Sequence, residues 1–147
     1  MLTTSTNPVT VANELRPVLL MLNRQLRREL APLGITGGQA ALLHLVRSNP
    51  GIGVRDLARI EGMSAAGMST ALSRLETMGL LRRTRAANDR RRVGLELTDQ
   101  GLKVLRSARS RRTAWLAARL KRLAPEQLAA VEDAILPLRA LLEAEPA

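Results

Sequence analysis

The 147-residue chain has no cysteine, phenylalanine or tyrosine, and Trp115 and His44 are its only tryptophan and histidine. Without cysteine there are no disulfides, no thiolate metal ligands and no cysteine-based redox sensing. One histidine gives no cluster for a transition metal. Set among Leu42, Leu43, Leu45 and Val46, His44 reads as a packed helix residue. The shortage of aromatics argues against binding single-stranded nucleic acid, where bases stack on such rings. Trp115 reads as core or dimer packing rather than the lining of a pocket. No P-loop or dinucleotide fingerprint is present, and the carboxylates fall mostly on expected helix surfaces, so the chain reads as no enzyme and as needing no cofactor. The longest apolar run, Val18–Leu22, is far too short to span a bilayer. The opening MLTTSTNPVT lacks the basic start and apolar core of a signal peptide. The expectation is a soluble, cytoplasmic protein with no membrane partner.

What the chain has is positive charge. The net charge is +10, and the sequence pI is about 11.7. Of the 23 basic residues only Lys103 and Lys121 are lysine. Arginine makes forked contacts with phosphate and guanine. A basic chain poor in aromatics fits double-stranded DNA, held through phosphates and groove edges. The hydrophobic fraction, 46%, is that of a folded protein, and the length suits one domain with a helical appendage.

Along the chain, residues 1–8 read as a flexible tail. Val11, Leu15, Val18, Leu22, Leu26 and Leu30 then recur at steps of three or four, a helix stripe. Pro17 lies inside it, so this helix either kinks there or starts just before it. Ala31-Pro32-Leu33-Gly34 ends it, Thr36 caps a second helix, and Ser48-Asn49-Pro50-Gly51 breaks that one. A short helix over Val54–Glu61 follows. After a turn at Gly62-Met63, Ser64 caps a longer helix reaching Thr77 or Met78, which Gly79 stops. This is the helix-turn-helix pattern.

Leu80–Arg85 and Arg92–Leu97 read as two strands, with Val93, Leu95 and Leu97 on one face and a tip at Asn88-Asp89-Arg90. A helix-turn-helix followed by such a hairpin is a winged helix. Thr98 caps a long helix to about Leu123, and Pro125 opens a last one. Its seam of Leu128, Val131, Ile135, Leu138 and Leu142 is interrupted by Pro137. The expected fold is mainly α with a small β-hairpin wing. A DNA-binding winged helix-turn-helix spans 34–98, and helices at 9–33 and 99–147 form a dimerisation region. Both ends carry narrow apolar stripes that one winged helix does not cover, so a homodimer is expected.

On a helical wheel, Met68, Ala71, Leu72 and Leu75 face the core. The opposite face presents Ala66, Thr70, Ser73 and Thr77, flanked by Ser69 and Arg74, with Ser64 at the start. Such a small, hydroxyl-rich face enters a major groove, where hydroxyls bond phosphates or base edges and alanine methyls meet thymine methyls. The bland alternative is an ordinary solvated helix face. The hairpin holds Arg82, Arg83, Arg85, Arg90, Arg91 and Arg92, and a wing so placed reaches the adjacent minor groove. Asp89 forms the turn, or also pairs with an arginine to hold the tip. Arg90 is the candidate for the minor groove, and Arg92 supplies phosphate attraction.

Residues 35–105 resemble MarR-type transcriptional regulators. Asp89-Arg90-Arg91, then Leu97-Thr98, then Gly101 is similar to the family's wing signature. Val54-Arg55-Asp56-Leu57-Ala58 and the run from Leu72 to Leu81 resemble its helix-turn-helix. The resemblance implies a triangular homodimer whose terminal helices form the interface. Recognition helix 64–78 would lie in the major groove of a palindromic operator, and wing 82–97 in the minor groove. It implies a repressor, released by a small phenolic or otherwise lipophilic ligand bound between the dimer helices and the winged helix. It also makes Arg91 the family's wing arginine, holding the wing as much as touching DNA. Many members carry arginine where Thr70 stands, so base readout here is either weaker or shifted toward Ser69, Ser73 and Arg74, with more of the specificity resting on the wing and DNA shape. The rival reading is an architectural protein that bends duplex DNA without effector control.

Overall fold

Asn7 and Pro8 start the first helix. In the computed structural model, which describes residues 6–86 and 89–143 and only the backbone of 86 and 89–92, Asn7 Oδ1 accepts from the Val9 amide at 2.9 Å. Pro8 fills the first turn, where its missing N–H is no loss. Helix α1 therefore runs Pro8–Arg28, through Pro17. A start at Pro17 is excluded. Asn7 and Pro8, expected in the tail, are the cap and first turn, and residues 1–5 lie outside the described residues. A single 3-10 turn, Ala31–Leu33, leads to α2, Gly37–Ser48. Thr36 and Gln39 form a reciprocal capping box there: Thr36 Oγ1 accepts from the Gln39 amide at 3.1 Å, and Gln39 Oε1 from the Thr36 amide at 2.9 Å.

Helix α3, Val54–Glu61, and helix α4, Ala65–Thr77, have the expected limits. Ser64 Oγ caps α4 by accepting from the Gly67 amide at 3.0 Å. Gly79 reverses the chain with φ +77°, a left-handed conformation that favours glycine, and the Leu80 amide bonds back to the Leu75 carbonyl.

Strands β1, Leu81–Ala86, and β2, Asp89–Leu97, pair antiparallel from Leu81↔Leu97 to Arg85↔Val93. The next pair is Ala86↔Asp89, so the register jumps and residues 90–92 form a bulge. This corrects the expected hairpin. Arg90 and Arg91, expected before the strand, join Arg92 in the bulged start of β2, which begins three residues earlier than the alternation indicated. The α2–α3 loop adds to the sheet, with Gly51 donating to the Leu95 carbonyl at 3.1 Å and Leu95 to that of Ile52 at 3.0 Å.

Helices α5, Asp99–Leu120, and α6, Pro125–Glu143, complete the chain; α5 stops three residues short of the expected Leu123, and Pro137 lies inside α6 without ending it. By internal contacts the chain divides within α5, into one unit ending at Arg112 and another beginning at Thr113.

The first unit holds the buried core of the described residues, built on Leu30, Leu43, Val46, Leu57, Met68, Leu72, Leu75 and Leu95, with Leu105 and Ala108 joining from α5. Val93, expected inside with Leu95 and Leu97, is 37% exposed, because it pairs with Arg85 toward the outer end of the hairpin. Within this unit Arg111 closes the end of α1, its Nε donating to the Glu29 carbonyl at 2.9 Å. Among its described residues the second unit has no buried side chain, and Leu116, Leu128, Val131, Ile135, Leu138 and Leu142 are exposed.

Candidate nucleic-acid interface

Helix α4 has one inner stripe, Met68, Leu72 and Leu75, all fully buried. The remaining turns therefore present Ala66, Thr70, Ser73, Arg74 and Thr77 to solvent, with Ser64 exposed at the cap and Ser69 half-buried. This is the expected face, with chemistry the wheel does not give. Thr70 Oγ1 donates to the Ala66 carbonyl at 3.1 Å, and Thr77 Oγ1 to that of Ser73 at 2.9 Å. Both threonine protons are thereby used inside the helix. What these residues offer outward is lone pairs and methyl groups. The Ser64 oxygen is engaged as the cap, while its proton is available. Arg74 is the one long cationic donor on the face.

The wing stands beside this helix in the same unit. Its register puts Leu81, Arg83 and Arg85, with Leu97, Leu95 and Val93 opposite, on the face that is buried at its base. Arg82, Thr84, Gly94 and Glu96 lie on the other. Among the described side chains each face carries one ion pair. Arg83 Nε bonds Glu76 Oε1 of α4, and Arg82 Nε bonds Glu96 Oε1 across the strands. Arg85 is exposed. The side chains of Asp89, Arg90, Arg91 and Arg92, and the tip residue Asn88, lie outside the described residues. The sequence reading missed Glu76 as part of this arrangement. The available signal was an acid in the last turns of a helix, where the dipole disfavours negative charge, seven residues before an arginine on a strand.

At the base of the wing, Thr98 joins three elements. Its amide donates to the Leu80 carbonyl at 3.2 Å, its hydroxyl donates to the Gly79 carbonyl, and the same oxygen accepts from the Gly101 amide at 3.0 Å. A Cβ on Gly101 would overlap the Leu80 carbonyl oxygen. The Leu-Thr-x-x-Gly pattern is thus the stitch that fixes where α5 leaves the winged helix.

His44, expected to be packed, is exposed on α2. The buried stripe there is Ala40, Leu43 and Val46 with Leu42, and a step of one residue from Leu43 turns His44 away from it. Trp115 is half-buried, with the Arg119 guanidinium 5.1 Å from its ring centre. A groove of about 530 Å3 runs beside α4, lined by Thr36, Gln39, Leu42, Met63, Thr70 and Arg74 among others. No group of three or more His, Asp or Glu side chains that could hold a metal exists among the described residues. No described helix is long and apolar enough to cross a membrane.

The sequence profile of the MarR family matches residues 33–92. An uncharacterized HTH-type transcriptional regulator of Bacillus subtilis, YfiV, is 30% identical over 105 residues, which are 71% of this chain and 66% of that protein, just short of two thirds. In fold, the chain is similar to RV1404 from Mycobacterium tuberculosis, at a TM-score of 0.83 and 21% identity with all of both chains covered. It is also similar to a mutant of S. aureus MepR bound to an oligodeoxyribonucleotide, at a TM-score of 0.70 and 21% identity over 90% of this chain and 97% of that one.

Proposed function

We propose that this chain is a transcriptional regulator of the MarR family, whose sequence profile matches residues 33–92, and that it binds palindromic duplex DNA as a homodimer and acts as a repressor. Helix α4 enters the major groove through Thr70, Ser73 and Arg74, with Ser64 and Ser69 toward phosphates. The wing follows the minor groove with Arg85 and the arginines at 90–92. The observation that carries this reading is the juxtaposition within one unit of the hydroxyl-rich face of α4 and the arginine-bearing hairpin. The oligodeoxyribonucleotide on a fold similar over nine tenths of the chain supports it. Dimerisation is supported by the exposed apolar side chains of α1 (Val11, Val18, Leu22) and of α6 (Leu128, Val131, Ile135). Release by a small lipophilic or phenolic ligand completes the proposal.

A second reading, an architectural binder with little sequence choice, draws on α4 itself. The two threonine protons are consumed in the helix, leaving one cationic reader per face. Footprinting on genomic fragments across a salt series separates the two. The regulator gives discrete palindromic footprints with half-sites about one helical turn apart. The architectural protein gives uniform coverage that disappears as salt rises. Absence of duplex binding at low salt refutes both.

A further inference from the structure

The two ion pairs of the wing do different things. Arg82–Glu96 joins β1 to β2 on the face away from the base core, and its side chains are 62% and 40% exposed. It lies within the hairpin and does not reach α4. Arg83–Glu76 joins the hairpin to α4 on the inner face, and each side chain is 34% exposed. It is the only described ion pair between the wing and the helix beside it. The pair sits one α4 turn from Ser73 and, along β1, two residues from Arg85, between the two surfaces proposed to touch DNA. Its place is also electrostatically odd. Glu76 lies near the carboxyl end of α4, where the helix dipole disfavours a carboxylate, and next to a surface proposed to meet phosphates. Without Arg83 that carboxylate would weaken both the helix end and DNA binding.

We infer that Glu76 is a positioning residue for DNA recognition: through Arg83 it sets the angle at which the wing leaves α4, and so the spacing between major-groove and minor-groove contacts. This deepens the DNA-binding reading and rests on it. Positioning and charge counting make opposite predictions. Glu76→Gln removes a negative charge and releases an arginine, so charge counting alone requires tighter binding to every duplex. If the pair positions the wing, affinity for a selective site falls while non-specific binding holds or rises.

The test begins by selecting duplexes from a random-sequence library with the wild-type protein. Affinity for one selected duplex is then compared with that for an unselected duplex of equal length. Glu76→Gln is expected to lower the ratio of the two affinities by roughly fivefold or more. Glu96→Gln, which changes the wing by the same charge but breaks the other pair, leaves the ratio unchanged. The exchange Glu76→Arg with Arg83→Glu restores it, a rescue that mere damage to the fold would not show. If Glu76→Gln unfolds the chain, Arg83→Lys, which keeps the charge and loses the fork, replaces it in the comparison. An unchanged ratio in Glu76→Gln, an equal loss in Glu96→Gln, or failure of the exchange overturns the inference while the DNA-binding reading stands. A wild-type protein that enriches no duplex overturns both.

Discussion

Gly101 and Gly38 show how one substitution can have opposite effects at two helix starts. A Cβ at Gly101 would overlap the Leu80 carbonyl oxygen, which is backbone and cannot move aside. Gly101→Ala must therefore displace α5 from the base of the wing, with an expected loss of about 3 kcal/mol or more. At Gly38, in the first turn of α2, the nearest atom to an added Cβ is Thr36 Oγ1 at 3.9 Å, and φ is not positive. Gly38→Ala therefore removes unfolded-state entropy without strain and is expected to stabilise by about 0.5–1 kcal/mol. Urea unfolding of both variants checks the pair; equal midpoints would contradict the close approach at Gly101. The Gly101 constraint was visible in sequence only as a family pattern, because its cause is a contact with Leu80 across the hairpin. His44 failed at the same scale. Apolar neighbours on both sides in sequence do not bury a helical residue, since only the stripe through Ala40, Leu43 and Val46 meets the core.

At the scale of elements, helices were legible because local chemistry ends them. Ser64, Gly62 and Gly79 mark α3 and α4 to within a residue, since a cap hydroxyl and a left-handed glycine act on their own neighbours. The hairpin was legible as a wing but not in register. Its bulge at 90–92 arises from cross-strand pairing, which no window of β2 alone contains. The same division holds for the site. The exposed face of α4 follows from periodicity, whereas the Glu76–Arg83 pair needs two elements brought together. On the proposed function the two elements also read DNA differently. Arg74→Ala removes the one long donor of the α4 face and is expected to cost about 1–3 kcal/mol on a selective site and relax preference at one base position. Arg90→Ala is expected to weaken binding to all sequences and to reduce the slope of log K against log salt by about 0.9 per protomer. Salt titrations on selected and unselected duplexes measure both. An Arg90→Ala variant with unaltered affinity and slope would remove the DNA contact given to the wing.

At the scale of the whole molecule, the distribution of apolar side chains decides the expected assembly. Among the described residues every buried one lies at or before Ala108, in the first unit, and α6 has none. Yet α6 carries Leu128, Val131, Ile135, Leu138 and Leu142 at alternating steps of three and four, each between 36% and 87% exposed. A soluble chain rarely leaves such a seam open, and a second copy offers a matching one. Ile135 stands in the middle of it. Ile135→Glu places a charge where two seams would meet, while touching nothing in the buried core. The variant is therefore expected to sediment at the 16.0 kDa of one chain where the wild type sediments at twice that mass. Its melting temperature should lose the dependence on protein concentration that a dimer shows. Its affinity for a palindromic duplex should fall by roughly a hundredfold, because each winged helix then binds its half-site without the effective concentration supplied by its twin. Affinity for a single half-site should stay unchanged, since α4 and the wing are intact. A wild-type protein that sediments as one chain at micromolar concentration, or an Ile135→Glu variant that keeps full affinity for the palindrome, would show that the seam on α6 has another purpose.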